Sequence, residues 1–137
     1  MMTMQPSVLT TIEFSSGLPG FPDATRFELR PWGEESDENP FWLLDSLDRD
    51  DLAFVVCPPW TFYPEYDFNL DDMTAARIGL RSPTDVIALA IVTVGERPED
   101  STINLLGPLV INRNTGEAVQ VVLSEADFDV RAPLVRS

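Results

Sequence analysis

The sequence contains no histidine and no lysine, and Cys57 is its single cysteine. Without histidine, neither a Ser-His-Asp nor a Cys-His nucleophile system can be assembled, and the usual zinc ligand sets lose their commonest member. Without lysine the chain forms no Schiff base and completes no phosphate-binding P-loop. One cysteine excludes an intramolecular disulfide, and with it the stapled folds of small secreted proteins, so the cytoplasm is the expected compartment. Hydrophobic runs are short as well. The longest, Val86–Val94, is broken by Thr93 and falls far below the roughly 20 residues of a membrane-spanning helix. Met1–Leu9 has no basic region ahead of an apolar core, so no signal peptide is expected.

What the chain has in excess is negative charge: 23 acidic residues against 9 basic ones, all arginine, for a net charge of −14. Such a surface repels phosphate backbones and anionic membranes, so neither direct nucleic-acid binding nor membrane binding is expected. It favours fast encounter with a basic protein partner, although acidity can also serve solubility alone. Two clusters, Asp48, Asp50 and Asp51, then Asp67, Asp71 and Asp72, could supply acids, bases or calcium ligands. Neither has calcium-loop spacing, because Asp51 runs into Leu52-Ala53-Phe54 instead of a glycine turn and a distal glutamate. No metal and no cofactor is therefore expected, and the chain does not read as an enzyme. A glycosidase-like carboxylate pair is defined by distance in space, which leaves a carboxylate hydrolase as an alternative. Cys57 ends an apolar run ahead of Pro58 and Pro59 and reads as a buried, inert thiol.

A length of 137 residues fits one domain, residues 1–137, and a hydrophobic fraction of 44% is enough to build a core. The apolar residues fall in short bursts separated by Pro, Gly, Asp and Asn, which predicts strands at Leu9–Phe14, Arg26–Leu29, Phe41–Leu47, Leu52–Val56, Val86–Val94, Ile103–Ile111 and Glu117–Leu123. Many short strands with one helix imply a mostly β sandwich or barrel. Val86–Val94 is apolar at nearly every position and is expected to be a central strand covered on both faces. Arg113-Asn114-Thr115-Gly116 predicts a tight hairpin. Asp71 and Asp72 ahead of Met73, Ala75, Ala76 and Arg77, with Gly79 behind, predict a helix of about two turns. Ser82-Pro83-Thr84-Asp85 reads as a turn into the central strand. Gly17-Leu18-Pro19-Gly20 is a turn and not a phosphate loop, for it lacks the spacing and the lysine. The like-charged run Glu34–Glu38 is expected to be an exposed, mobile loop.

The segment Trp60-Thr61-Phe62-Tyr63-Pro64-Glu65-Tyr66-Asp67-Phe68 mixes five aromatics with two acids behind the rigid Pro58-Pro59 pair. Tyr and Trp anchor interfaces because they bury much area with few rotors, and acids at a rim select a basic partner. The same alternation also suits a further strand, with Phe62, Tyr66 and Phe68 pointing into the core and Glu65 and Asp67 toward water.

Taken in order, several segments resemble the flagellar assembly factor FliW family. Gly17-Leu18-Pro19-Gly20-Phe21 is similar to the family's early GLPGF element, and Asn39-Pro40-Phe41 with Leu44 and Ser46 to its next strand entry. Ala53-Phe54-Val55-Val56 with Pro58, then Tyr63-Pro64-Glu65-Tyr66-Asp67-Phe68 with Leu70, resembles its central signature. Thr102, Asn104-Leu105, Pro108-Leu109-Val110-Ile111-Asn112 and Gln120-Val121-Val122-Leu123 resemble the later strands. The likeness spans residues 11 to 134, with Met1–Thr10 short and poorly matched. It implies a small antiparallel β-barrel-like domain with one or two short helices, in the bacterial cytoplasm, that binds flagellin and also CsrA, an RNA-binding repressor of flagellin translation. Retained flagellin would occupy the protein and leave CsrA free; export of flagellin would release it to antagonise CsrA through an allosteric contact. A flagellin export chaperone without a translational role is the nearest alternative. The contact residues the resemblance implies are Tyr63, Glu65, Tyr66, Asp67 and Asp71. Gly17, Pro19, Gly20, Phe21, Asn104, Pro108 and Asn112 are expected to serve turns and backbone satisfaction.

Overall fold

The computed structural model describes residues 11–15, 17, 18, 20–33, 39–123 and 128–134. Leu9, Thr10, Pro19 and the run Glu34–Glu38, all subjects of expectations above, lie outside the described residues. The strands are β1 (Thr11–Phe14), β2 (Arg26–Pro31), β3 (Trp42–Ser46), β4 (Ala53–Cys57), β5 (Val86–Thr93), β6 (Thr102–Ile103), β7 (Leu109–Asn112), β8 (Glu117–Gln120) and β9 (Ala132–Pro133), with one short α-helix, α1 (Asp72–Arg77). Sheet order runs β4-β3-β2-β1-β8-β7-β5, and a further pairing of β4 with β5 closes these seven strands into a barrel. All pairings are antiparallel except β1 with β8, which is parallel at Glu13↔Glu117 and Phe14↔Ala118. Strands β6 and β9 lie outside the ring: Val92 of β5 pairs with both Val55 of β4 and Ile103 of β6, and β6 pairs with β9.

Alternation explains which side chains fill the barrel. In β1 and β2 every second residue is buried, so Ile12, Phe14, Phe27 and Leu29 point inward while Glu13, Arg26, Glu28 and Arg30 face water. The inner cluster joins these to Leu18, Ala24, Leu44, Val56, Leu89, Leu109, Ile111 and Ala118. Phe14 meets Phe27 edge to face at 5.7 Å, an arrangement worth about 1 kcal/mol beyond the area buried. Strands β4 and β5 divide their residues between two cores. Val56 and Leu89 point into the barrel, whereas Cys57, Ala90 and Val92 belong to a second cluster on its outer side with Tyr66, Ile103, Leu105, Ala132 and Leu134. The central strand expected at Val86–Val94 runs from Val86 to Thr93 and is apolar as far as Val92 because both of its faces are covered there, whereas Thr93 and Val94 are exposed.

Some local expectations need correction. The single strand expected over Ile103–Ile111 is two strands. Between them the Asn104 carboxamide oxygen accepts from the Leu106 and Gly107 amides at 3.0 and 2.9 Å, replacing ladder bonds with a side-chain turn. The ladder of Glu117–Leu123 ends at Gln120, although the Val121 and Leu123 amides still donate to the Pro108 and Leu106 carbonyls. The helix, by contrast, is six residues long and agrees with the expected length of about two turns. No strand forms through the aromatic segment, which instead opens with a 3-10 helix at Pro59–Thr61. Strand β9 has no counterpart among the expected elements.

Candidate protein-interaction surface

The aromatic segment is held in shape by its own backbone and by distant parts of the fold. Pro58 is extended, Pro59 begins the 3-10 turn, and the Phe62 and Tyr63 amides donate back to the Pro59 carbonyl. The Tyr66 amide then donates to the Tyr63 carbonyl at 2.9 Å, and the Trp60 indole N–H closes the loop on the Tyr66 carbonyl at 2.6 Å. Two phenols fix the loop to the later chain: Tyr66 Oη donates to the Leu105 carbonyl at 2.7 Å and Tyr63 Oη to the Pro133 carbonyl.

This geometry sorts the expected contact residues. Glu65 and Asp67 are exposed on either side of Tyr66, and Tyr63 is half-buried. Tyr66 itself is 6% exposed, its ring packed among Trp60, Phe68 and Phe128, and burial pushes its phenol up to about 12. From that position it sets the shape of the loop and does not present a face to a partner. The large exposed aromatic of the segment is Trp60, at 41%, which was not among the expected contacts. The signal for it was its place directly behind Pro58-Pro59, where a fixed backbone starts a turn with the next side chain on the outside.

Asp71 is exposed and caps α1, its carboxylate accepting from the Thr74 amide at 2.7 Å, which holds its pKa below the ordinary carboxylate range. From Glu65 to Ala76 the chain carries four carboxylates, Glu65, Asp67, Asp71 and Asp72, and no basic residue. All four are exposed, and α1 buries none of its side chains.

Among the described residues, several of those expected in turns lie in backbone-bonded turns or bond the backbone themselves. Leu18 and Phe21 exchange amide bonds across the turn after Gly17, sending Leu18 into the barrel and Phe21 against Phe54, with Arg49 over its ring at 5.4 Å. Pro108 offers its carbonyl to the Val121 amide. Asn112, buried, donates to the Ile78 carbonyl at 2.8 Å and accepts from the Asn114 amide at 2.9 Å.

Two further carboxylates, Asp48 and Asp85, hold backbone turns. Asp48 accepts from the Arg26 and Thr25 amides at 2.9 Å each, and those donors hold its pKa low. Asp85 is likewise held low, by the Arg81 amide first and the Asn114 side chain next. These are the opposite of the raised carboxyl that a hydrolytic acid requires. Because the folded pKa of Asp48 lies below its unfolded value near 3.9, its contribution is complete above that value and is lost as pH falls through the folded pKa. In Asp48→Asn the fall of stability below about pH 4 is expected to be shallower than in the parent, as read by urea midpoints across an acid titration. Burial pushes the Cys57 thiol up to about 12, so it is unreactive while enclosed. Among the described residues no three Cys, Asp or Glu side chains converge on a metal position, and no helix is long and apolar enough to cross a membrane.

A sequence profile of the FliW protein family matches residues 2–134. The chain belongs to the FliW family. The flagellar assembly factor FliW of Bacillus licheniformis is 39% identical over 124 residues, covering 90% of this chain and 85% of the relative. That of Exiguobacterium sp. is 40% identical over 124 residues, with 90% and 83% covered. That of Desulfitobacterium hafniense is 36% identical over 132 residues, with 96% and 85% covered. A crystal structure of a flagellar assembly factor FliW superposes with a TM-score of 0.83 at 29% identity, covering 99% of this chain and 92% of the other. The seven-stranded barrel, with one short α-helix among the described residues, is thus a FliW fold.

Proposed function

We propose that this chain works in flagellar assembly by reversible protein binding in the bacterial cytoplasm: it holds flagellin, and when flagellin leaves, it binds and antagonises the translational repressor CsrA. Membership of the FliW family along nearly the whole chain is the observation that carries this function. The surface chemistry supports it. An RNA-binding repressor presents basic side chains, and this chain offers exposed acids at Glu65, Asp67, Asp71 and Asp72 beside an exposed Trp60. A switch of this kind needs two competing equilibria and no covalent step, which suits a chain without histidine or lysine. With a net charge of −14, direct contact with nucleic acid is not part of the proposal.

The test is a three-component competition in which purified chain, CsrA and flagellin are mixed pairwise and together. Flagellin is expected to displace CsrA from the chain. Binding of flagellin with no CsrA association at low salt would leave only an export chaperone. The double substitution Glu65→Arg with Asp67→Arg is expected to slow CsrA association on the order of tenfold at low salt and to flatten its salt dependence, as read by stopped-flow kinetics. Unchanged kinetics would place the contact on another face.

A further inference from the structure

The barrel and the layer on its outer side do not share a hydrophobic cluster. That outer layer is built from residues 59–68 and 128–134, which lie over the outward side chains of β4, β5 and β6. Its grip on the sheet is slight. Strand β9 meets β6 at two residue pairs, one of them at Pro133, which has no amide hydrogen to give the ladder. Two backbone bonds add to the attachment, Leu105 N–H to the Asp129 carbonyl and Leu134 N–H to the Ser101 carbonyl, each 3.0 Å, together with the Tyr66 hydroxyl on the Leu105 carbonyl at 2.7 Å. Within the barrel, by contrast, β2 and β3 are joined over five residue pairs and β5 and β7 over four. The two covering segments are also joined to each other, through the Tyr63 hydroxyl on the Pro133 carbonyl and the Tyr66 ring edge-on to Phe128 at 5.3 Å. Segments with few ladder bonds and a small core of their own open at lower cost than the body they cover.

We propose that residues 59–68 and 128–134 form a cover that opens as one unit while the seven-stranded barrel stays closed, baring the outer apolar face of Val55, Cys57, Ala90, Val92 and Ile103. This goes beyond the flagellar function and does not depend on it. The cover gives the chain a second, apolar surface that exists only in the open state, beside the acidic one it shows permanently.

Cys57 reports the opening, because it is fully buried in the outer cluster and is the only thiol. When enclosed it is shielded and largely protonated; in the open state it regains an ordinary thiol pKa near 8.5. The experiment is labelling of the full chain at pH 8 with a thiol-reactive aromatic disulfide across low urea concentrations, with amide exchange measured in parallel. Labelling is expected to proceed at a rate nearly flat in urea, turning steep only where the barrel unfolds. The Leu105 and Leu134 amides are expected to exchange on the order of tenfold or more faster than the slowest amides of β5 and β7. Leu134→Ala is expected to speed labelling on the order of tenfold while leaving the urea midpoint of the barrel in place. Labelling that carries the full urea dependence of global unfolding from zero urea upward overturns the proposal. So does exchange of the Leu105 and Leu134 amides in step with β5 and β7, or a Leu134→Ala chain in which labelling and barrel unfolding shift together.

Discussion

Gly17→Ala is expected to destabilise the fold by about 3 kcal/mol or more, whereas Gly20→Ala, in the same turn, costs only about 1 kcal/mol. Both glycines have positive φ, 70° and 86°, so both substitutions carry the left-handed penalty of an L-residue. They differ in what the added methyl would meet. At Gly17 it would fall 2.5 Å from the Pro22 carbonyl oxygen and 2.7 Å from the Pro22 carbonyl carbon and Cα, all backbone atoms that cannot swing aside. At Gly20 nothing lies within 4 Å. Relief of the clash requires the two arms of the turn to separate, and the turn is what sends Leu18 into the barrel interior and lays Phe21 on Phe54. Urea denaturation of the two variants side by side checks the difference. Equal losses would mean that conformational preference alone, and not the close approach, decides the cost.

Asn112→Ala is expected to cost about 3 kcal/mol, again by urea denaturation. The side chain is 2% exposed and uses both ends of its amide: it donates to the Ile78 carbonyl just past α1 and accepts from the Asn114 amide inside the hairpin. Alanine removes both bonds and leaves the Ile78 carbonyl, on a buried residue, without its donor, a penalty of about 1–3 kcal/mol by itself. Asn112→Asp separates the two roles. It keeps an acceptor for Asn114 but sets a carboxylate against the Ile78 carbonyl, so at neutral pH it is expected to be no more stable than the alanine variant.

Asn112 also marks the boundary of what could be read from the sequence. The hairpin after it, the turn at Ser82–Asp85, the Asp71 cap and the apolar β5 were legible because each is fixed by residues within a few positions of one another. The partner that buries Asn112 is 34 residues away, and nothing near either residue announces it. The division of Ile103–Ile111 failed for a related reason. Its apolar spacing continues unbroken, and only the Asn104 side chain, in place of a backbone partner, ends one strand before the next begins. Strand β9 exists only because Thr102 and Ile103 are there to pair with it.

The faces of the candidate segment were legible, but not its backbone. Alternation sent Phe62, Tyr66 and Phe68 toward a core and Glu65 and Asp67 toward water, and so they lie, although no strand carries them. Tyr66 goes inward without any strand, because its hydroxyl finds the Leu105 carbonyl, 39 residues on, and its ring finds Phe128. Trp60 is left outside by the same turn that buries Pro59.

The parallel contact of β1 with β8 bears on how the protein is made. Glu13 and Phe14 find their sheet neighbours at Glu117 and Ala118, a strand that leaves the ribosome about a hundred residues later. Until then the ring has a gap, and the β1 edge that β8 will occupy offers its amides and carbonyls to any other strand nearby. A closure that joins the two extremes of a chain is slow to find and late to form. Nascent chains interrupted before Gly116 are therefore expected to pair with one another through the β1 edge more readily than full-length ones.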